Sequence, residues 1–211
     1  MIAQQIEQRT DGHMSRASGC DGASAKRESS DGSQGIVHGW AQPGMALATP
    51  GVIILVGIDP GAVRQATARI QVGAQASGRE IRDLHLVLWV PCAVADRALA
   101  KAAVKAHVAR VAAHPLPVAL DEPARQVLAE IRRAYNYYQH MEPQASQAQV
   151  IPDWLVDRFA IAGTPAECRA RVEALQGSGI EQIAIIPYGV GEGDRAATLR
   201  RFASAVRGLT P

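Results

Sequence analysis

The feature that most constrains this fold is an uninterrupted apolar run, Val52-Ile53-Ile54-Leu55-Val56. A short, β-branched run of this kind is typical of a strand that is buried on both faces. The turn Gly57-Ile58-Asp59-Pro60 follows it. This turn predicts a helix start, because aspartate is a good N-cap and proline suits the first helical position. A buried strand that leads straight into a helix predicts a parallel sheet covered by helices.

The same alternation continues toward the C-terminus. Residues 84–90 and 183–186 are two more apolar runs that predict buried strands, and a helix is predicted after each. The clearest helix start is Thr164-Pro165-Ala166-Glu167, a capping box with proline in its first turn. Three strong strands are too few to close a barrel. The predicted fold class is therefore α/β, and we expect the domain to be incomplete.

The helices of the middle region are predicted from caps and apolar spacing. Asp96 is expected to cap a helix that carries His107 on its surface. The predicted apolar stripe of that helix includes Leu99, Ala103, Ala106 and Val111. A further helix is predicted over residues 122–138, residues 144–149 are predicted as a loop, and residues 151–159 as a short helix. The side chains predicted to face inward from this short helix are Trp154, Leu155 and Phe159.

Residues 1–45 break this pattern and are rich in glycine, serine, aspartate and glutamine. No apolar period recurs within them, and their four basic and five acidic residues nearly cancel. A segment of this composition cannot bury enough apolar surface to offset the entropy lost on folding. We therefore predict a disordered or unrelated tail over residues 1–45 and a folded domain over residues 46–211.

Composition argues against several classes of function. The net charge of +2 is too small for a nucleic-acid-binding domain, which normally carries a basic patch. The longest apolar run is far shorter than the roughly 20 residues that span a membrane, and the N-terminus lacks the apolar core of a signal peptide. The three cysteines are widely spaced, which argues against a disulfide framework or a zinc site. We expect a soluble cytoplasmic protein without a metal, a nucleic-acid partner or a membrane partner.

In parallel α/β folds the working loops follow the carboxyl ends of the strands. In this sequence those loops are residues 57–61, 91–94 and 187–189. The first loop is a glycine-containing turn into a helix, which suits either phosphate binding or an ordinary strand–helix connection. Neither a G-x-G-x-x-G fingerprint nor a Walker A sequence is present, so both interpretations stay open.

Other polar residues do not define a reaction. The histidines lack the spacing of metal ligands, and Cys168 is expected to be a small buried hydrophobe within a helix. The densest polar aromatic group is predicted either to line a pocket or to pack its rings on the sheet. That group comprises Tyr135, Tyr137, Tyr138 and His140. The residues by themselves name no catalytic group.

Several segments taken together resemble a known family. They are GVIILVGIDP at residues 51–60, ASGR at 76–79, DRFAIAGTPAEC at 157–168 and GIEQIAIIP at 179–187. These segments look like the C-terminal part of the bacterial-luciferase-like oxidoreductases, a group that includes deazaflavin-dependent methylenetetrahydromethanopterin reductases. The resemblance extends over roughly residues 50–208.

This resemblance implies the C-terminal part of a luciferase-like TIM (β/α)8 barrel with the N-terminal half missing. Members of the family bind FMN or the deazaflavin coenzyme F420, and they transfer a hydride, or activate oxygen on a reduced flavin, to act on a small-molecule substrate. The positions of the strand-end loops imply that five residues lie on the cofactor side: Gly57, Ile58, Asp59, Tyr188 and Gly189. The segments that hold the family's catalytic residues have no counterpart here, so the catalytic residues stay unknown.

Two hypotheses about function follow from the resemblance. The first is a flavin- or deazaflavin-dependent oxidoreductase that is truncated and impaired. The second is a non-catalytic half-barrel that pairs with itself or with another barrel protein. We expect a homo-oligomer, because the exposed sheet edges of a half-barrel favour pairing with other chains.

Overall fold

The computed structural model describes residues 37–38, 51–114, 121–139, 142, 145–191 and 193–209. The strands and helices are, in order, β1 (Val37–His38), β2 (Val52–Leu55), α1 (Pro60–Ala76), β3 (His85–Val94), α2 (Arg97–Ala112), α3 (Glu122–Ala134), α4 (Ser146–Gln149), α5 (Asp153–Phe159), β4 (Ile161–Gly163), α6 (Pro165–Glu173), β5 (Gln182–Pro187) and α7 (Arg195–Ala205). Of the predicted tail at residues 1–45, only β1 is described, and its backbone pairs with β2. The rest of that prediction lies outside the described residues.

All strand pairs in the described sheet are parallel, and β3 is the central strand. Leu88 of β3 lies opposite Leu55 of β2 and also opposite Ile183 of β5. A strand residue has one neighbour on each edge, so β2 and β5 flank β3 on opposite edges. Cys92 in turn pairs with both β4 and β5. Strand β4 therefore follows β2 along the same edge of β3, nearer to its carboxyl end.

Strand β3 is longer than predicted. The loop predicted at residues 91–94 is wrong, because these residues form the last part of β3. The Cys92 carbonyl accepts a hydrogen bond from the Tyr188 N–H on the β5 edge, so the nitrogen of the preceding Pro91 faces the other edge. On that edge, pairing with β2 ends at Leu88 and pairing with β4 begins at Cys92. The missing N–H of Pro91 falls in this gap and costs no ladder hydrogen bond.

Helices cover the sheet on both faces. Leu86, Leu88 and Val90 of β3 point into a buried cluster that includes residues of α1 and Cys168 of α6. Ala93 points to the opposite face and packs in a second buried cluster with α2, α3 and α5. This division follows from the strand period, since successive side chains point to opposite faces. The predicted α/β class, with a parallel sheet covered by helices, is confirmed.

Helix α1 matches its prediction closely. It begins at Pro60, and the Asp59 carboxylate accepts a hydrogen bond of 2.8 Å from the Ala62 N–H. After its C-terminal end, Gly78 adopts a φ of 70°, a conformation that favours glycine. Its buried residues recur at a spacing of three or four, which is the apolar period of a helix with one face inward: Val63, Ala66, Ile70 and Ala74.

The stripe predicted for helix α2 is correct for Ala106, which is buried, and for Ala103 and Val111, which pack partly buried against the core, but it is wrong for Leu99. Its fully buried residues at a spacing of four are Ala100, Val104, Val108 and Ala112. Leu99, which was predicted to face inward, is 57% exposed, and His107, which was predicted to lie on the surface, is only 5% exposed. Small and β-branched side chains let α2 lie close to Ala93 and Ala162 of the sheet. Close contact between α2 and the sheet therefore decided which face of the helix is buried, although Leu99 on the other face has a larger apolar side chain.

The loop predicted at residues 144–149 is also wrong in part, because α4 lies within it. Gln147 of α4 is fully buried. Its amide donates to the carbonyls of Asn136 and Gln139 and accepts from the Asn136 N–H, at 3.2–3.3 Å. These bonds satisfy the buried amide and fix the turn that carries Tyr137 and Tyr138. Both rings are exposed, so neither the predicted pocket nor the predicted packing on the sheet applies to them.

Helix α5 matches the predicted short helix with one exception. Leu155 and Phe159 are buried as predicted, but Trp154 is 37% exposed. The guanidinium carbon of Arg158 lies 5.5 Å from the centroid of the Trp154 ring. A cation over an aromatic face is attracted by the ring quadrupole. The Arg158 side chain therefore covers part of the outward-facing Trp154 ring.

A buried lysine joins the helices around β4. The Lys101 Nζ of α2 lies 3.0 Å from the Asp157 carboxylate and 3.5 Å from that of Asp153. Asp157 also pairs with Arg171 of α6. A buried cation is tolerated where it is paired and hydrogen-bonded. This network fixes the position of β4 at the carboxyl end of the sheet.

None of the described helices is both long and apolar enough to cross a membrane.

Candidate functional site

The carboxyl end of the sheet is the natural place for a site, because ligands of parallel α/β folds bind beyond that edge. Strands β3, β4 and β5 reach it together, since Val94 pairs with Gly163 and Cys92 with Pro187. Strand β2 ends lower, opposite Leu88. The predicted cofactor residues therefore lie at two levels, with the turn after β2 below β4 and the loop after β5 at the edge itself.

The turn after β2 is covered by the segment that leads into β4. The Ile58 side chain is 3% exposed, and its N–H donates a hydrogen bond of 2.7 Å to the Arg158 carbonyl. A side chain at Gly57 would place its Cβ 3.2 Å from the Phe159 ring. The Asp59 carboxylate is taken by the first turn of α1. These contacts account for the three residues as parts of the packing, and their role toward a cofactor stays a prediction.

The loop after β5 carries the most distinctive polar pair at this edge. The Tyr188 hydroxyl lies 2.9 Å from Nδ1 of His107. The two rings meet edge to face, with centroids 5.9 Å apart and planes at 89°. Helix α2 supplies the histidine and β5 supplies the tyrosine. Tyr188, a predicted site residue, therefore has a buried hydrogen-bond partner. That partner, His107, was predicted to lie on the surface of its helix.

Burial sets the protonation of this pair. It lowers the pKa of His107 to about 4, with a smaller contribution from the charge of Arg110. It also raises the pKa of Tyr188, whereas the charges of Arg195 and Arg110 act in the opposite direction. Both groups are therefore neutral at pH 7. A neutral imidazole and a phenol share one hydrogen bond, in which either Nδ1 or the hydroxyl is the donor.

The backbone of Tyr188 is anchored on both sides. Its N–H donates to the Cys92 carbonyl at 2.8 Å, and its carbonyl accepts a hydrogen bond of 2.6 Å from the Thr198 hydroxyl of α7. The following Gly189 is required by the loop, because a Cβ there would lie 2.7 Å from the Gly193 carbonyl oxygen. The predicted site residues Tyr188 and Gly189 therefore have fixed positions.

Ion pairs and caps hold the neighbouring strand ends. The Thr164 N–H donates to the Glu167 carboxylate at 2.9 Å, and the Glu167 N–H donates to the Thr164 hydroxyl at 3.4 Å. This confirms the predicted capping box at the start of α6. Arg97 of α2 pairs with the same carboxylate. The backbone hydrogen bond from Thr164, followed by the bond from Arg97, lowers the pKa of Glu167 to about 2.

The two described cysteines are packing residues. Cys92 and Cys168 are both fully buried, as predicted for Cys168. Burial raises the pKa of the Cys168 thiol to about 11 and also raises that of Cys92. Within the described ranges, no group of histidine, cysteine, aspartate and glutamate side chains could hold a metal ion.

One residue of the candidate site, His107, was missed by the sequence analysis. The signal was present in part, because His107 lies directly between the buried Ala106 and Val108 of α2. A polar residue inside a buried stripe normally has a hydrogen-bond partner. The identity of that partner, Tyr188, is separated from it by 81 residues and follows from tertiary structure alone.

The chain is similar to solved oxidoreductase structures. It matches the coenzyme F420-dependent tetrahydromethanopterin reductase from Methanopyrus kandleri with a TM-score of 0.55 and 16% identity, over 80% of this chain and 47% of that chain. For long-chain alkane monooxygenase the TM-score is 0.45 with 14% identity, over 76% of this chain and 37% of that chain. For the EDTA monooxygenase from Chelativorans sp. BNC1 the TM-score is 0.39 with 18% identity, over 76% of this chain and 40% of that chain.

The first of these likenesses shows the fold. The described strands form part of a luciferase-like (β/α)8 barrel and do not close it, and the chain spans about half the length of the reductase. No curated protein matches the chain. The family model for the luciferase-like monooxygenases matches residues 45–182, well over half of the 211 residues. The chain therefore belongs to the luciferase-like monooxygenase family, as the sequence resemblance predicted.

Proposed function

We propose that this chain provides the C-terminal part of a flavin- or deazaflavin-dependent oxidoreductase that acts on a small molecule in the cytoplasm. The observation that carries the proposal is the family match over residues 45–182. This range contains β2, β3 and β4 and reaches the first residue of β5. It therefore includes most of the strands whose carboxyl ends border the candidate site.

We expect a planar cofactor to lie at this edge of the sheet. Tyr188 and Gly189 would hold it, since the phenol ring offers an aromatic edge and a hydrogen-bond donor at the end of β5. When bound, FMN or the deazaflavin would supply the hydride transfer or the oxygen activation. The chain's own residues would bind and orient it. A contact with Ile58 would require the covering segment at Arg158 to move, because the Ile58 N–H is already bonded there.

We expect these 211 residues to bind a cofactor weakly on their own. A barrel site is assembled from loops at several strand ends, and the described strands supply only part of such a ring. Fewer contacts leave the entropy of association poorly offset, so the affinity falls by orders of magnitude. Supplying the N-terminal half of a related intact enzyme should restore binding.

The test is a titration of FMN and of coenzyme F420 into the chain, followed by absorbance and fluorescence. It is done with and without the N-terminal half of the Methanopyrus reductase. The Tyr188→Phe variant should weaken the restored binding, whereas the matched control Tyr138→Phe should not, because Tyr138 is 93% exposed and outside the site. Absence of binding under both conditions would refute the proposal. Micromolar or tighter binding by the isolated monomer would show instead that the site is complete within this chain.

A second candidate function is assembly through the β5 edge, without catalysis. Within the described residues, β5 pairs with β3 alone, and an apolar cavity of about 200 Å³ lies beside its amino end. Leu175, Ile180, Ile183 and Phe202 are among the residues that line this cavity. An open edge beside an apolar surface favours pairing with a second copy of the chain. An oligomer in sedimentation experiments that stays colourless when the cofactor and the N-terminal half of a related enzyme are supplied would favour this function, and restored cofactor binding would favour the first.

A further inference from the structure

The charges of two arginines act on Tyr188, and neither arginine is paired with an acidic side chain among the described residues. Arg110 of α2 and Arg195 of α7 are both exposed, and neither makes an ion pair or a hydrogen bond with another of the described residues. By contrast, Arg97 of α2 and Arg200 of α7 each have an acidic partner. Two cations from separate helices that approach one side chain repel each other unless an anion lies between them.

The geometry of α2 directs Arg110 toward Tyr188. Arg110 follows His107 by three residues, so the two side chains are neighbours on one face of the helix. His107 is hydrogen-bonded to the Tyr188 hydroxyl, which identifies that face as the one turned to the loop after β5. Burial has the largest effect on the pKa of His107, which it lowers, and on that of Tyr188, which it raises. The charge of Arg110 makes a smaller contribution and lowers the pKa of both groups.

The geometry of α7 does the same for Arg195. Thr198 donates its hydroxyl to the Tyr188 carbonyl at 2.6 Å, and Arg195 lies one turn earlier on the same face of the helix. The carboxylate of the neighbouring Asp194 lies 3.9 Å from Arg200. The same carboxylate is turned into the helix start, where it accepts a hydrogen bond of 2.7 Å from the Ala197 N–H.

We propose that Arg110, Arg195 and the Tyr188 hydroxyl form a binding site for an oxyanion, either a phosphate or a carboxylate group of a bound small molecule. Planar guanidinium groups recognise these anions through paired, charge-assisted hydrogen bonds. His107 is the positioning residue. When its Nδ1–H donates to the phenol oxygen, the phenol O–H is free to donate to the anion. The inference deepens the proposed function and rests on it only for the identity of the molecule that carries the anion.

The test uses two small anions and the full chain, so it needs neither a cofactor nor activity. Sodium phosphate and sodium acetate are titrated separately while amide chemical shifts are followed by NMR, with sodium chloride at matched ionic strength as the reference. We expect saturable shifts at Tyr188, Gly189 and Arg195 with phosphate, acetate or both. A response to phosphate alone assigns the site to a phosphate ester, and a response to acetate alone assigns it to a carboxylate.

Variants then test the donors. Arg110→Gln and Arg195→Gln should each weaken binding by about fivefold, as expected for an exposed charged contact, and the double variant should abolish saturation. Arg64→Gln removes the same charge from the exposed face of α1 and should leave binding unchanged. Shifts that chloride reproduces, or saturable binding that survives in the double variant, would overturn the inference. The anion titration and the cofactor titration are independent measurements. The proposed anion site can therefore fail while the proposed oxidoreductase function stands, and the reverse also holds.

Discussion

The hydroxyl of Tyr188 lies 2.9 Å from Nδ1 of His107, which joins the end of β5 to the buried face of α2. Strands β3, β4 and β5 end at the same edge of the sheet, and this bond links that edge to α2. The bond also explains how a histidine with a strongly lowered pKa is accommodated in a core. Its imidazole is neutral and has a partner for the Nδ1 atom.

The His107–Tyr188 pair predicts acid sensitivity. The folded pKa of about 4 lies below the ordinary value of 6.5, so the unfolded chain binds more protons between these two pH values. The free energy of unfolding should therefore fall as the pH decreases from about 6.5 to about 4, by on the order of 2–3 kcal/mol. Urea unfolding at several pH values measures this loss. The His107→Gln variant, whose side chain does not titrate, should lack this part of the pH dependence, and an unchanged profile would contradict the assignment.

His85 predicts a pH dependence of the opposite sign. Hydrogen bonds to Gln182 and then to Glu181, at 2.9 Å each, raise its pKa. The stabilisation is fully present below the unfolded pKa of 6.5 and is lost as the pH rises through the raised folded value. A pH titration of the His85 ring by NMR should give a midpoint above 6.5, and Glu181→Gln should lower it. A midpoint unaffected by this substitution would show that the carboxylate contributes nothing.

The capping box at Thr164 predicts a cost for removing the hydroxyl. Thr164→Ala should lower the free energy of unfolding by about 1 kcal/mol, because one helix N–H then loses its acceptor. The Thr164→Ser variant keeps the acceptor and should restore most of the stability. An alanine variant with the wild-type denaturation midpoint would refute the role of the cap.

The buried thiols predict slow chemical modification. Cys92 and Cys168 are fully buried, and burial raises the pKa of both, so neither is a ready thiolate at neutral pH. The Cys20→Ser variant removes the third cysteine. In this variant a thiol reagent should label nothing in the native protein and two thiols after unfolding. Rapid labelling under native conditions would show that this core opens locally.

Local signals in the sequence determined much of the fold. The helix start at Asp59 and Pro60 and the capping box before α6 depend on side chains within three residues of one another. The inward face of α1 repeats at helical spacing, and the apolar run of β2 is a strand in the structure. These features could be predicted because the interactions that decide them are local. Tyr188 was predicted at the site for a related reason, since it directly follows a clear strand.

Tertiary structure alone decided the rest. β3 extends through Pro91 because β4 and β5 pair with its last residues, and nothing near Pro91 in the sequence reports those partners. Leu99 is exposed and His107 is buried because α2 presses its small residues against the sheet. The turn at Ile58 is covered by a segment about a hundred residues away along the chain, through the hydrogen bond to Arg158. Burial and partner choice depend on which surfaces meet in space, and a local periodicity constrains only which side chains share a face.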